Sequence, residues 1–196
     1  MEIFMFLALT RLLVSEEELR FATMYKQGYD TSCGIAVTAS LLNYYWNVPV
    51  TEPDLYQTMI LDRLDGEAAA YTITFYDIMQ YTQTRQIAAR AYKMDWNTLG
   101  DSLEKGYAPI IIHYEKPRPY FALLLRLLDN YALAADPANG LEIVDKTTFE
   151  KNYSGNALLT AFRDIQKNTG LIEQITGEKT RRLHILQDLA RSRRRW

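Results

Sequence analysis

The chain has 196 residues, of which 48% are apolar and 12% aromatic, enough for one domain with a substantial core. A formal charge of only −2 argues against nucleic acid as a partner, and a single cysteine excludes an intramolecular disulfide. With no glycine-rich phosphate loop, no paired-cysteine motif and no ligand spacing between His113 and His184, no cofactor or metal is expected.

In chain order, Met1–Val14 is an apolar run interrupted by Arg11, too short to span a bilayer. It reads equally as a truncated secretory signal or as an amphipathic lead-in helix; Glu2 stands where a signal peptide has positive charge, and no Ala-x-Ala site follows. Ser15 followed by Glu16, Glu17 and Glu18 is a helix-start signal. The segment from Ile35 to Trp46 has apolar residues at Ile35, Ala39, Leu42 and Tyr45, the period of a helix buried on one face. Asn47-Val48-Pro49 ends it. Thr51 caps a second helix with Pro53 in its first turn and Leu55, Met59 and Ile60 inward. Asp62 to Ala70 reads as a loop, and Thr74 to Thr84 as a third helix.

Beyond Ile87 the pattern changes. Ile87–Tyr92 is a short strand, and Trp96–Lys105 a helix with Leu99 and Leu103 inward and Gly106 just past its end. The run Ala108–Tyr114 is β-branched and reads as a fully buried strand, 115–119 as a turn, and Tyr120–Leu128 and Tyr131–Ala135 as two more strands joined at Asp129-Asn130. A helical half followed by a sheet half is the α+β order. Residues 1–18 then form a lead-in segment, 19–157 the domain, and 158–196 a helical tail ending in Arg191, Arg193, Arg194 and Arg195, a run read as a solvated terminus.

The chemistry concentrates in Gln27-Gly28-Tyr29-Asp30-Thr31-Ser32-Cys33-Gly34. Cys33 falls at a helix N-terminus, where unpaired backbone N–H groups and the positive end of the macrodipole favour a thiolate. Gly34 is read as removing a side chain beside the sulfur so that a substrate backbone can approach. Gln27, six positions earlier, can donate an amide N–H to a developing oxyanion. A buried structural cysteine is the bland alternative.

The stretch QGYDTSCGIAVTASLLNYYW resembles the nucleophile region of the C39 peptidases, the bacteriocin-processing thiol peptidases with a papain-like fold. It is most similar to the stand-alone Gram-negative members, including those of functional-amyloid (Fap) operons, and the likeness extends from about Leu19 to about Tyr153. It implies a papain-like α+β fold and a second signature, a strand beginning with the catalytic His and followed by a turn and Asp-Pro. Asp136-Pro137 is present; Tyr120 occupies the position of the His.

Tyrosine cannot replace the imidazole as a base, because a phenol with a pKa near ~10 is protonated at neutrality. Losing one triad member costs several orders of magnitude in rate. The expected function is therefore that of a C39-like cysteine peptidase-family protein acting on secreted or exported peptides, with activity weak or lost at Cys33, Gln27, Asp136 and Tyr120. In one alternative, His113 lies opposite Tyr120 across a hairpin and acts as substitute base. In two others the chain is a pseudopeptidase binding module, or an accessory subunit of a secretion or amyloid-assembly system. Partners implied by the resemblance are a peptide or protein substrate, such as a secreted or amyloid-forming protein, and membrane-associated secretion machinery. A periplasmic or membrane-associated location follows from the same likeness, a cytoplasmic one otherwise.

Overall fold

The computed structural model describes residues 20–21, 23–28, 32–61, 72–107, 109–161, 170, 172–173 and 176–177. The readings of Met1–Val14, Ser15–Glu18, the 62–70 loop, His184 and the basic terminus lie outside them.

The nucleophile segment opens with helix α1 (Cys33–Ser40), which runs into a single π-helical turn over Leu41–Tyr45. Asn43 steadies that wider turn, donating through Nδ2 to the carbonyls of Ala39 (2.9 Å) and Val50 (2.7 Å). Asn47, with φ of 53°, reverses the chain. Helix α2 (Glu52–Met59) follows, capped by Thr51, and helix α3 (Phe75–Thr84) begins in a reciprocal Thr74/Asp77 capping box. Strand β1 (Ala89–Lys93) leads to helix α4 (Trp96–Glu104), capped by Asp95. Strands β2 (Ile110–Tyr114), β3 (Tyr120–Leu128), β4 (Tyr131–Asp136) and β5 (Gly140–Asp145) form a meander; helix α5 (Lys146–Asn152), capped by Asp145, then leads into β6 (Tyr153–Thr160). The six strands make one antiparallel sheet in the order β1-β6-β2-β3-β4-β5.

Both faces of this sheet are covered, which is why the β2 sequence is apolar without alternation. Ile111, Phe121, Leu123, Leu125 and Leu158 face a core shared with α1, α2 and α3. Ile110, Ile112, Ala122, Leu124 and Ala157 face a second core closed by Trp96 and Leu99 of α4 and Phe149 of α5. The alternation along each strand is the period-2 pleat sorting side chains between two layers.

Three expectations are corrected here. Helix α1 is buried on every side, Gly34 through Ser40, not on one face, because it is the central element between the sheet and α2. The β-structure extends through β5 and α5 to Thr160, so Leu158–Thr160 are strand and not the start of a helical tail. The hairpin of β2 and β3 forms, but Tyr114 is the residue opposite Tyr120 and His113 lies opposite Phe121. A shift of one residue exchanges the faces, so His113 shares the α1 side with Phe121.

The role of Gly34 also differs from the expectation. A Cβ there would lie 2.6 Å from Cγ2 of Ile73 and 3.2 Å from Cδ2 of Phe121. The missing side chain thus lets α1 dock on β3 and the segment before α3; the space is filled by protein. Alanine would ordinarily favour a helix interior over glycine by ~1 kcal/mol. The overlap with Ile73 is expected to reverse that sign in Gly34→Ala, giving a net loss of about 1–3 kcal/mol. Chemical denaturation would measure it, and a neutral or stabilised Gly34→Ala would contradict the packing.

Candidate active site

Cys33 is the first residue of α1 and is half-buried. Burial pushes its thiol above the ordinary value. The backbone N–H groups of Phe121, Gly34 and Cys33 itself oppose this by favouring the anion, and the Asp136 carboxylate adds to it. The upward effects prevail. In this site the helix N-terminus does not win against desolvation and a nearby anion.

Tyr120 is the first residue of β3, one position before Phe121, whose N–H favours the Cys33 anion. Its phenol is driven well above the ordinary tyrosine range, first by burial and then by the carboxylates of Asp136 and Glu142; Arg118 acts the other way and Cys33 adds a smaller upward push. Cys33, Tyr120 and Asp136 therefore lie within electrostatic reach of one another. The Tyr120 ring stacks on Tyr114, with centroids 4.8 Å apart.

Asp136 ends β4 and is almost fully buried, at 6% exposure. Its Oδ1 accepts from the backbone N–H of Ala138 (2.6 Å) and Asn139 (3.2 Å), and Oδ2 from Nδ2 of Asn139 (3.4 Å). The carboxylate thus organises the turn that delivers Gly140, whose φ of 78° suits glycine, into β5. That same turn holds the nucleophile loop, because the N–H of Gln27 donates to the carbonyl of Pro137 at 2.9 Å. Glu142, half-buried on the neighbouring strand, has its carboxyl raised chiefly by burial and by Asp136.

His113 has different company. Its ring meets Phe121 (centroids 5.1 Å) and Phe75 (6.4 Å), and burial lowers its pKa against a weaker upward pull from Glu115. An imidazole held neutral in an aromatic setting is a poor source of positive charge for a thiolate.

On the other side of the nucleophile loop stands a residue that no local pattern singles out. Glu52, in the first turn of α2, accepts from the backbone N–H of Gly28 at 3.2 and 3.3 Å and from Oγ of Ser32 at 2.6 Å. Its partners are 24 and 20 residues away, beyond any local pattern. Among the described residues, no group of three His, Cys, Asp or Glu side chains could hold a metal ion.

This arrangement, a cysteine opening a buried helix against an antiparallel sheet with an Asp-Pro turn beside it, has known counterparts. Residues 22–164 match the Peptidase C39 family. The chain belongs to that family. Over 142 residues, 72% of this C39 protein, it is 28% identical to the "Probable functional amyloid protease FapD" of Pseudomonas aeruginosa, and over 163 residues 22% identical to the protein of the same description from Pseudomonas fluorescens. The matches span 61% and 70% of those relatives. The fold resembles the peptidase domain of Streptococcus ComA, with TM-score 0.60, 20% identity and coverage of 71% of this chain and 97% of that one. It also resembles a C39-like protein from Bacillus anthracis, with TM-score 0.54, 14% identity and coverage of 74% and 97%. A third neighbour is a double glycine motif protease solved with its leader peptide, with TM-score 0.53, 23% identity and coverage of 68% and 86%.

The electrostatics of this C39 site give a sign that can be tested. In a site with an imidazolium, the Asp supports the thiolate; here Asp136 opposes it. Asp136→Asn keeps an oxygen for the Ala138 N–H and removes the charge. Alkylation of Cys33 by iodoacetamide at a fixed pH below the thiol pKa is expected to speed up several-fold, since thiolate fraction follows the pKa. Slower alkylation would show that Asp136 acts through a cationic partner.

Proposed function

We propose that this C39-family chain binds an extended peptide segment of an exported, amyloid-type protein at the Cys33 end of α1, and that it cleaves the segment slowly or not at all. The observation that carries this reading is Tyr120 within electrostatic reach of Cys33 and Asp136, where the family resemblance calls for an imidazole. A raised thiol and a raised phenol form no ion pair at neutral pH, so the sulfur stays a protonated, weak nucleophile. The Gln27 backbone N–H is tied to the Asp136 turn, and its side-chain amide is the donor we propose for a developing oxyanion. The relatives described as functional amyloid proteases support the substrate class, and the neighbour solved with a leader peptide supports peptide recognition by this fold.

A second reading keeps His113 as the base. It is favoured by the strand register, which turns His113 to the α1 side of the sheet together with Phe121, whose N–H favours the Cys33 anion.

Three proteins separate the readings. Wild type is expected to be a poor peptidase at neutral pH, with slow alkylation of Cys33. Tyr120→His supplies an imidazole next to Asp136 and is expected to raise alkylation near pH 7 by about tenfold or more, with some cleavage returning, because each unit of pKa depression multiplies the thiolate about tenfold. His113→Ala is expected to leave the wild-type alkylation profile as it is. An acid-side inflection in wild type that disappears in His113→Ala would establish His113 as the base. Binding is tested separately: a peptide from the amyloid-type substrate should bind Cys33→Ala as tightly as wild type, and loss of binding would contradict a role that does not require the sulfur.

A further inference from the structure

Ser32 is the N-cap residue of α1, and serine at that position normally accepts a hydrogen bond from the N–H of the second or third helical residue. Thr51, Thr74, Asp95 and Asp145 all do this for α2, α3, α4 and α5. Ser32 makes no side-chain cap bond. Its hydroxyl is buried, at 2% exposure, and donates to Oε1 of Glu52 at 2.6 Å. The same carboxylate holds the N–H of Gly28, where a Cβ would stand only 3.3 Å from Oε2. One side chain on α2 therefore clasps both ends of the loop that joins Gln27 to Cys33.

From this arrangement we infer that Glu52 is a positioning residue: it draws the Ser32 hydroxyl off the end of α1 and so leaves the first N–H groups of that helix uncapped, facing the Cys33 sulfur and any oxyanion formed there. The anomaly it explains is specific. A capping residue is present, its side chain makes no cap bond, and the Gly34 N–H is among the groups that favour the Cys33 anion. A charge-assisted hydrogen bond from a hydroxyl to a carboxylate is stronger than a cap to a neutral hydroxyl, so the balance favours the clasp. A carboxylate is also suited to the task because it accepts from two donors at once.

The inference rests on Cys33 being the reactive centre, but its test does not depend on any peptide being cut. Alkylation of Cys33 by iodoacetamide at fixed pH is compared in wild type, Glu52→Ala, Ser32→Ala and the double variant, with melting curves as a control for folding. In Glu52→Ala the released Ser32 caps α1, the sulfur loses a donor, and alkylation is expected to slow by about fivefold, the size of one cap. Adding Ser32→Ala removes the competing hydroxyl and is expected to return the rate to that of Ser32→Ala alone. Glu52→Met, of similar length and without an acceptor, serves the same comparison if Glu52→Ala does not fold. An unchanged or faster rate on losing the carboxylate would overturn the inference, as would a slow rate that persists when Ser32 is also replaced.

Discussion

Helix α1 meets strand β3 with no side chain between them at Gly34, and this close approach fixes everything around the sulfur. Ile73 and Phe121 fill the space a Cβ would occupy. Phe121 in turn belongs to the core that α1, α2 and α3 share with the sheet, where burial of a large apolar side chain contributes roughly 1.5–3 kcal/mol. Because α1 is buried on all sides, its start has no freedom to tilt. Cys33 is thereby delivered beside the first residues of β3, and Tyr120 and the Phe121 N–H become its neighbours. The Gln27 N–H on the Pro137 carbonyl and the Glu52 clasp complete the frame from the two sides.

Within that frame the charges run against a thiolate. The C39 architecture supplies backbone N–H groups at the sulfur, and these favour the anion. Burial and Asp136 oppose it, and Asp136 and Glu142 also drive Tyr120 upward. In a site with an imidazolium, a buried Asp is offset by positive charge; here Asp136 is left with its own turn, from which it accepts three hydrogen bonds.

Much of this was legible in the sequence, for local reasons. Helices α2, α3 and α4 announce themselves through a 3.6-residue stripe, α2 also through its Thr51 cap, and β2 through its β-branched run, with β3 and β4 as apolar runs joined at the Asp129-Asn130 turn. Strand β6 did not, since Ser154, Gly155 and Asn156 are poor strand formers and its partners in β1 and β2 are distant in sequence. Helix α5, at seven residues, is too short to be stable by itself and depends on Phe149 packing under Trp96 and Tyr114. At the site, Cys33 and Asp136 stood out by residue type and neighbours. The side of the sheet that His113 faces depends on the register set by the 115–119 turn, which composition alone leaves open by one residue. Glu52 was read only as part of a helix start, because its partners are set by tertiary packing.

The central claim is that Cys33 sits in this C39 frame as a protonated thiol. As the chain's one cysteine, it can be labelled uniquely with carbon-13 at Cβ and titrated by NMR in the intact protein. A single transition above the ordinary thiol range is expected, with the resonance at neutral pH that of the thiol. A Cβ resonance already at the thiolate position near neutral pH, titrating only on the acid side, would contradict the account.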